Sequence, residues 1–378
     1  MKSKSNGPIR VLHYIGSLEL GGSQSMVMNL YRHIDRTKIQ FDFIVDKKNS
    51  FYYKDEIESL GGQVFIFDHP FKGYNFLQFK KQWKDFFKNH PEYKIIHSHV
   101  RSVASIVLKI AKKYGMITIC HSHSTSNGQG LKSIVKYLLQ KRIPKYADYL
   151  LACSKESAIW LYGKKNVDND RCIIINNAID ASKFSFDLQS RKKIRKQFDI
   201  ENKTVLVQVG RIETVKNYAF TIEVLKDLIK IDNNYYLIII GDGSLINEII
   251  EKVNSYKLNN NVMFLKNRSD INDILQAADI FVMPSIWEGL SLSLVEAQAA
   301  SLPCVISSNI NSGIMVEDYV IKKDINNPLE WANEIESIKS KSIIRKNMIS
   351  IIKKRGFDIK DEANRISNFY FGLTKGEK

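Results

Sequence analysis

The stretch Pro284-Ser285-Ile286-Trp287-Glu288-Gly289-Leu290-Ser291-Leu292-Ser293-Leu294-Val295-Glu296 sets two carboxylates eight residues apart around a glycine turn. The apolar run Ile280 to Met283 before it reads as a buried parallel strand, Pro284 to Gly289 as the loop leaving that strand, and Leu290 to Ala300 as a helix. A helix opening at the carboxyl end of a strand offers unpaired N–H groups and a partial positive charge, which suits a phosphate. Glu288 in the loop and Glu296 two turns into the helix are then expected to accept hydrogen bonds from hydroxyls on either side of a diphosphate. The competing reading makes both glutamates solvated surface groups.

Two more strand ends upstream point the same way. Val205 to Val209 reads as a strand that ends in Gly210-Arg211, with Lys216-Asn217 at the start of the next helix. In open parallel sheets, ligands bind outside the carboxyl ends of the strands. An Arg and a Lys placed there can stabilise the charge that grows on a departing nucleotide. Tyr236 to Ile240 then runs into Gly241-Asp242-Gly243-Ser244, a further strand meeting a glycine loop.

This order, Gly210-Arg211 with Lys216-Asn217, then Gly241-Asp242-Gly243, then Glu288 and Glu296, resembles the retaining GT-B glycosyltransferases of family 4, the glycosyl transferases group 1. Gly21-Gly22-Ser23 after the strand Val11 to Ile15 looks like that family's N-terminal glycine loop. Asn176-Asn177-Ala178-Ile179-Asp180 with Phe184 looks like its interdomain segment, although Ala178 departs from some relatives. The resemblance covers residues 8 to about 372. It implies an α/β GT-B fold, two Rossmann-like α/β domains with parallel sheets facing across a cleft. Residues 1–178 would form the acceptor-side domain, 179–355 the nucleotide-sugar domain, and 356–378 a terminal helix crossing back to the first.

It also implies roles. The donor would be a nucleoside-diphosphate hexose, a UDP-sugar in the favoured reading, used as a co-substrate with no further cofactor and no metal. Arg211 and Lys216 would neutralise the leaving diphosphate, assisted by the N–H groups of Leu290 and Ser291, and Gly210, Gly241, Asp242, Gly243 and Gly289 would line the donor pocket. Glu296 would hold the ribose and Glu288 the sugar hydroxyls. Gly21, Gly22 and Ser23 would approach the donor from the other domain. One histidine after the strand that follows Gly115 would orient a donor hydroxyl, His123 first by spacing and His121 next. The acceptor would be a glycan or a polyprenyl-diphosphate-linked saccharide of a capsule or exopolysaccharide.

Length and composition agree with two domains. The 378 residues, 44% hydrophobic and 25% charged, can fill two ordinary cores. The alternation of strand and helix patterns argues for parallel sheets. No apolar run approaches the roughly 18 residues of a membrane span, and Met1 to Pro8 lacks the apolar core of a signal peptide. A cytoplasmic protein, peripheral on the inner membrane face, is expected. Cys120, Cys153, Cys172 and Cys304 form no C-x-x-C pair and read as reduced core thiols.

Three other signals compete. His97-Ser98-His99 and His121-Ser122-His123 are His-x-His pairs, whose side chains on a strand share a face, so four imidazoles can bind zinc as in a metal-dependent hydrolase. No Asp or Glu stands beside either pair in sequence to complete a usual catalytic set. Asp168-Asn169-Asp170 has an Asp-x-Asp form but lies just before the strand at Cys172, as a solvated turn does. The run Gly241 to Ile246 lacks the third glycine of a dinucleotide fingerprint. A nucleoside-diphosphate-sugar epimerase of the same fold is the nearer enzyme rival.

The balance of 56 Lys and Arg over 40 Asp and Glu, formally +16, implies an anionic partner. No nucleic-acid module is recognisable, so nucleic acid is excluded as that partner. Phe76 to Lys88 and Leu131 to Arg142 place apolar residues at helical spacing beside lysines. An anionic membrane surface is one reading. The other buries Phe76, Phe79, Trp83 and Phe86 and leaves the lysines in water.

Overall fold

The computed structural model describes residues 7–19, 21–46, 51–123, 131–266, 268–288, 291–310, 319–341 and 344–375. The chain divides into two compact units, Met1–Ala178 with Ile359–Lys378, and Ile179–Asp358. The return to the first unit falls at Ile359 rather than at 356. The reason is local: the Ile179 N–H donates to the Phe357 carbonyl at 3.0 Å and Ile179 pairs with Asp358.

The first unit carries β1 (Ile9–Gly16), β2 (Ile39–Val45), β3 (Val64–Ile66), β4 (Ile95–Ser98), β5 (Ile117–Ser122), β6 (Tyr149–Ala152) and β7 (Cys172–Ile174). They form one parallel sheet in the order β3-β2-β1-β4-β5-β6-β7. The second unit carries β8 (Thr204–Val209), β9 (Tyr235–Ile240), β10 (Val262–Leu265), β11 (Ile280–Met283), β12 (Cys304–Ser307) and β13 (Val320–Lys323). Their order, β10-β9-β8-β11-β12-β13, repeats the same winding. Each sheet therefore has a switch point, between β1 and β4 and between β8 and β11, where successive crossovers diverge and leave a crevice.

The strands are apolar runs without alternation because both faces are covered. In β9, Leu237 and Ile239 enter one core with Leu206, Val282 and Trp331, while Ile238 and Ile240 enter the opposite core with Val207, Phe281 and Met283. β13 was not expected from sequence; Lys322 and Lys323 dilute its pattern, and pairing with β12 supplies what propensity does not. Asn176 to Ser190, the interdomain segment with the residues after it, pairs at Ile179 with Asp358 and turns helical from Ala181. It includes the helix Ala181–Phe184 and the start of the helix Leu188–Gln197, and the Phe184 carbonyl accepts from Gln276 Nε2.

The terminal helix, Ile359–Lys375, starts three residues later than the expected 356. Ile359, Ala363, Ile366 and Tyr370 join Val11, Phe41, Ile95 and Ile119 in the core on one face of the first sheet. On that face, at the carboxyl ends of β1, β4 and β5, lie five imidazoles: His13, His97, His99, His121 and His123. The first four are buried and His123 is half-buried.

Burial, followed for the inner rings by their mutual repulsion, holds all five basicities below the free-histidine value of 6.5, with His13 and His123 at about 3. Above pH 6.5 the folded and unfolded chains bind the same number of protons here. Below it the unfolded chain binds more, so stability is lost as pH falls, by about 1.4 kcal/mol per pH unit for each ring that stays neutral. Urea melts of the metal-free protein at pH 7.5 and 5.5 should show a collapse of the first unit's stability at the lower value. A pH-independent midpoint would show that the rings are solvated in the native state.

Candidate functional site

Three loops meet at the carboxyl ends of β8, β9 and β11 in the second unit. The contact that fixes them is backbone against backbone. The Gly210 N–H donates to the Ile240 carbonyl at 3.0 Å, the Ile212 N–H to Asp242 at 2.9 Å, and the Leu245 N–H to Ile212 at 3.1 Å. A Cβ on Gly241 would stand 2.0 Å from the Gly210 carbonyl oxygen, and one on Gly243 would stand 2.3 Å from that of Ile212. Gly241 also has φ +145°, a backbone that favours glycine. These two glycines, expected from sequence as donor-pocket residues, are required for loop packing. Asp242 turns back on its own loop, accepting from the Gly243 N–H at 2.8 Å.

Gly210 takes φ +148°, and a Cβ there would stand 3.2 Å from Lys216 Cε, so its absence lets the lysine stem lie over the loop. Lys216 ends the short 3₁₀ turn Thr214–Lys216, and Asn217 in the left-handed region turns the chain into the helix Tyr218–Ile231. A buried relay holds that turn: Thr221 Oγ1 donates to Gln208 Oε1 at 2.6 Å, and Gln208 Nε2 donates to the Lys216 carbonyl at 2.8 Å. Tyr218 Oη donates to the Gly210 carbonyl at 2.7 Å. Sequence reading missed Gln208, Thr221 and Tyr218. A polar Gln inside the otherwise apolar run Val205 to Val209 was the available signal.

Across the switch point, the Ile286 N–H donates to the Val215 carbonyl at 2.9 Å and fixes the loop after β11. Glu288 then forms an ion pair with Lys216, both side chains being mostly buried. Sequence had sent the lysine to a diphosphate and the glutamate to sugar hydroxyls; the structure brings the two into direct contact, 72 positions apart. Arg211, directly after Gly210, is exposed on the loop that follows β8.

The following helix starts at Leu292, not at Leu290. Ser291 is its N-cap residue, with an extended backbone, so the free first-turn donors belong to Leu292, Ser293 and Leu294. Gly289 and Leu290 lie outside the described residues. Glu296 is partly exposed one turn further along, and burial pushes its carboxyl up to about 7.

In the first unit, Gly21 is the N-cap of the helix Gly22–His33; its φ of −170° is ordinary extended backbone, and a Cβ on Gly22 would meet nothing within 4 Å. Ser23 Oγ donates to Gln24 Oε1 at 2.9 Å. His121 lies in β5 and His123 just after it. Both His-x-His pairs come together, and His13, which the sequence reading left out, joins them. His13 pairs in register with His97 across β1 and β4. Its signal was the same one, an imidazole late in an apolar strand.

Two family models match the chain: glycosyltransferase family 4 over residues 20–183 and glycosyl transferases group 1 over residues 190–355. A Bacillus subtilis (strain 168) protein whose name assigns it as a glycosyltransferase, EpsF, is 31% identical over 369 residues, with 96% of each chain covered. The Escherichia coli UDP-Gal:alpha-D-GlcNAc-diphosphoundecaprenol alpha-1,3-galactosyltransferase is 27% identical over 304 residues, covering 75% of this chain and 76% of its own. Among solved structures, HepE from Anabaena in complex with UDP superimposes with a TM-score of 0.77 at 18% identity, covering 97% of this chain and 100% of that one. Two parallel α/β sheets of the GT-B kind and near full-length similarity to named transferases make the chain a member of glycosyltransferase family 4, the glycosyl transferases group 1.

Proposed function

We propose that the protein is a retaining hexosyltransferase that moves a sugar from a UDP-sugar to a lipid-linked glycan in the synthesis of a bacterial capsule or exopolysaccharide. The observation that carries this is the meeting of Lys216 and Glu288 across the β8/β11 switch point, with Glu296 eight residues further along. In this reading the diphosphate takes the Lys216 ammonium, and Arg211, on the same loop after β8, adds charge as the bond to the sugar breaks. Glu288, released from Lys216, accepts from the sugar hydroxyls. The N–H groups of Leu292 to Leu294 face the phosphates, and the Glu296 carboxylate accepts from the ribose. The UDP in the HepE complex and the diphosphoundecaprenol in the E. coli relative's name support the choice of donor nucleotide and acceptor class.

The first unit offers a surface for such an acceptor. Along the helix Phe76–Asn89, Phe79, Trp83 and Phe86 are buried, whereas Phe76, expected to join them, is 40% exposed and Leu77 78% exposed. The side chains of 131–135 lie outside the described residues; further along, Tyr137 and Leu138 are exposed. A cavity of about 270 Å³ between these elements is lined by Lys80, Lys84, Lys109, Lys113 and Arg142, none of them in an ion pair among the described residues. Five cations beside exposed apolar residues suit an anionic bilayer. No helix among the described residues is long and apolar enough to cross a membrane.

Lys216→Ala should lower turnover with the cognate UDP-sugar by about a hundredfold or more, read by product formation at saturating donor; undiminished turnover removes the lysine from the reaction. Glu296 supplies a pH signature. Its carboxyl is raised to about 7, and ribose hydroxyls favour the ionised form, so UDP affinity should rise several-fold between pH 6 and 8. In a thermal-shift titration, Glu296→Gln should abolish this slope; a slope that persists assigns it to another group. Reversing Lys80, Lys84, Lys109 and Lys113 to Glu should stop sedimentation with phosphatidylglycerol vesicles at low salt, and equal sedimentation of variant and parent sinks the membrane contact.

A further inference from the structure

A cavity of about 580 Å³ opens at the amino ends of β8, β11 and β12, where Thr204, Ile280 and Pro303 line it. The donor crevice lies at the carboxyl ends of the same strands. Along the six residues of β8 the two are roughly 20 Å apart, at about 3.3 Å per residue. A hollow of this size falls within the range of roughly 300–1,000 Å³ that small-molecule sites occupy. The transfer reaction makes no use of it.

Its walls are cationic. Arg191 and Arg195 stand one turn apart on the helix Leu188–Gln197, and with Arg345 they meet the carbonyl groups where the helix Ile271–Ala277 ends. Arg191 Nη1 donates to the Gln276, Ala277 and Ala278 carbonyls at 3.0, 3.1 and 2.8 Å, and Arg195 Nη1 donates to that of Ala277 at 2.8 Å. Arg345 donates to the Leu275, Gln276, Ala278 and Ala300 carbonyls at 2.6 to 3.2 Å. The last carbonyls of a helix attract cations, which explains one such side chain but not three. The carboxylate among them, Asp279, is taken by Arg191 at 2.5 Å and by Arg195 at 3.2 Å. Arg345 has no ion pair among the described residues. Burial, then repulsion from Arg191, pulls its basicity down to about 9, low for a guanidinium that is still charged at pH 7.

Lys203 lines the cavity as a fourth cation and also lacks an ion pair among the described residues. Lys339, a fifth, is offset by Asp232 and Glu336. Against the other four stand Asp279 and the exposed Glu201, which leaves an excess of two positive charges around one hollow. Partly buried cations without counter-charge are costly, and an anion between them removes the cost. Every N–H of Arg345 is already on a carbonyl, whereas Arg191 Nε and the Lys203 ammonium have no partner among the described residues. Two apolar side chains share the lining: Phe186, whose ring centroid is 4.2 Å from the Arg345 guanidinium carbon, and Ile344, which is 77% exposed.

We propose that this cavity is a second ligand site, which takes a small phosphate monoester: Lys203 and Arg191 hold the phosphoryl oxygens, Arg345 lends charge, and Phe186 and Ile344 cover the ester's apolar body. A phosphate monoester carries about −1.5 to −2 charge at pH 7, which matches the excess of two, and ammonium and guanidinium groups are its usual donors. A carboxylate supplies half that charge. The occupant ties together the helix Leu188–Gln197, the turn after Ala277 and the segment at Arg345, so it stabilises the second unit by binding the folded state alone. This goes beyond the transfer reaction proposed above, whose diphosphate is met by Lys216 at the opposite end of the sheet.

The probes are phenyl phosphate and inorganic phosphate, titrated by calorimetry into the full chain at low salt. One equivalent of phenyl phosphate should bind to the parent and to Lys216→Ala alike, several-fold more tightly than inorganic phosphate, and should raise the thermal midpoint. Lys203→Glu should weaken binding by at least about tenfold, and Lys203→Arg should keep most of it. Lys192→Glu, exposed on the same helix as Arg191 but outside the cavity, should leave it unchanged. Absence of binding in the parent overturns the proposal, and so does binding that is lost with Lys216→Ala but survives Lys203→Glu. Equal losses with Lys203→Glu and Lys192→Glu reduce the effect to diffuse charge and overturn the site. Equal affinity for the two probes overturns the assignment to an ester.

Discussion

The second unit is organised by one close approach. The loops after β8 and β9 cross with the Gly210 carbonyl oxygen lying 2.0 Å from where a Cβ on Gly241 would sit. No side chain fits between them, so both positions are glycines, and the backbone hydrogen bonds from Gly210, Ile212 and Leu245 zip the two loops together. The platform so made carries the 3₁₀ turn, the turn aims Lys216, and the Val215 carbonyl takes the N–H of Ile286 and thereby positions Glu288. A methyl group at Gly241 would displace each of these in succession. The glycine loops therefore act on the charged pair through packing before any contact with a ligand is considered.

The first unit solves a different problem at its own switch point. The equivalent crevice between β1 and β4 is filled with imidazoles backed by Tyr370 from the chain's last helix. Their rings stack at centroid separations between 4.2 and 5.2 Å, His13 against His97 and His99, and His121 against His123. This layer costs basicity and leaves nitrogens unpaired, a burden that apolar residues at those positions would not impose. The two switch points thus hold opposite electrostatics. One is a charged pair at a partly open crevice, the other a neutral polar layer closed over by a helix that returns from 359 onward.

Strand positions were largely legible in the sequence. Val205 to Val209, Ile280 to Met283 and Tyr149 to Ala152 are continuous apolar β-branched or bulky runs, and a fully buried parallel strand needs little else. β13 was not legible, because an edge strand with two lysines is defined by its neighbour. Helix boundaries slipped by two or three residues at Leu292 and Ile359, where caps and a β-bridge decide the end rather than hydrophobic period. Of the site, the carboxylate spacing and the two cations were visible as motifs.

By itself, the sequence determined the α/β architecture, the two units and the order of glycine loops and charged residues at strand ends, since these depend on local period and on positions counted along the chain. Only the tertiary structure decided that Lys216 and Glu288 pair, that Gly241 and Gly243 are packing glycines, and that His13 and Tyr370 belong with the two His-x-His pairs. Those contacts join residues separated by 31 to 273 positions. Strand order in a parallel sheet, which brings β1 beside β4 and β8 beside β11, is set by the crossovers and the burial of both sheet faces, and no local pattern encodes that adjacency.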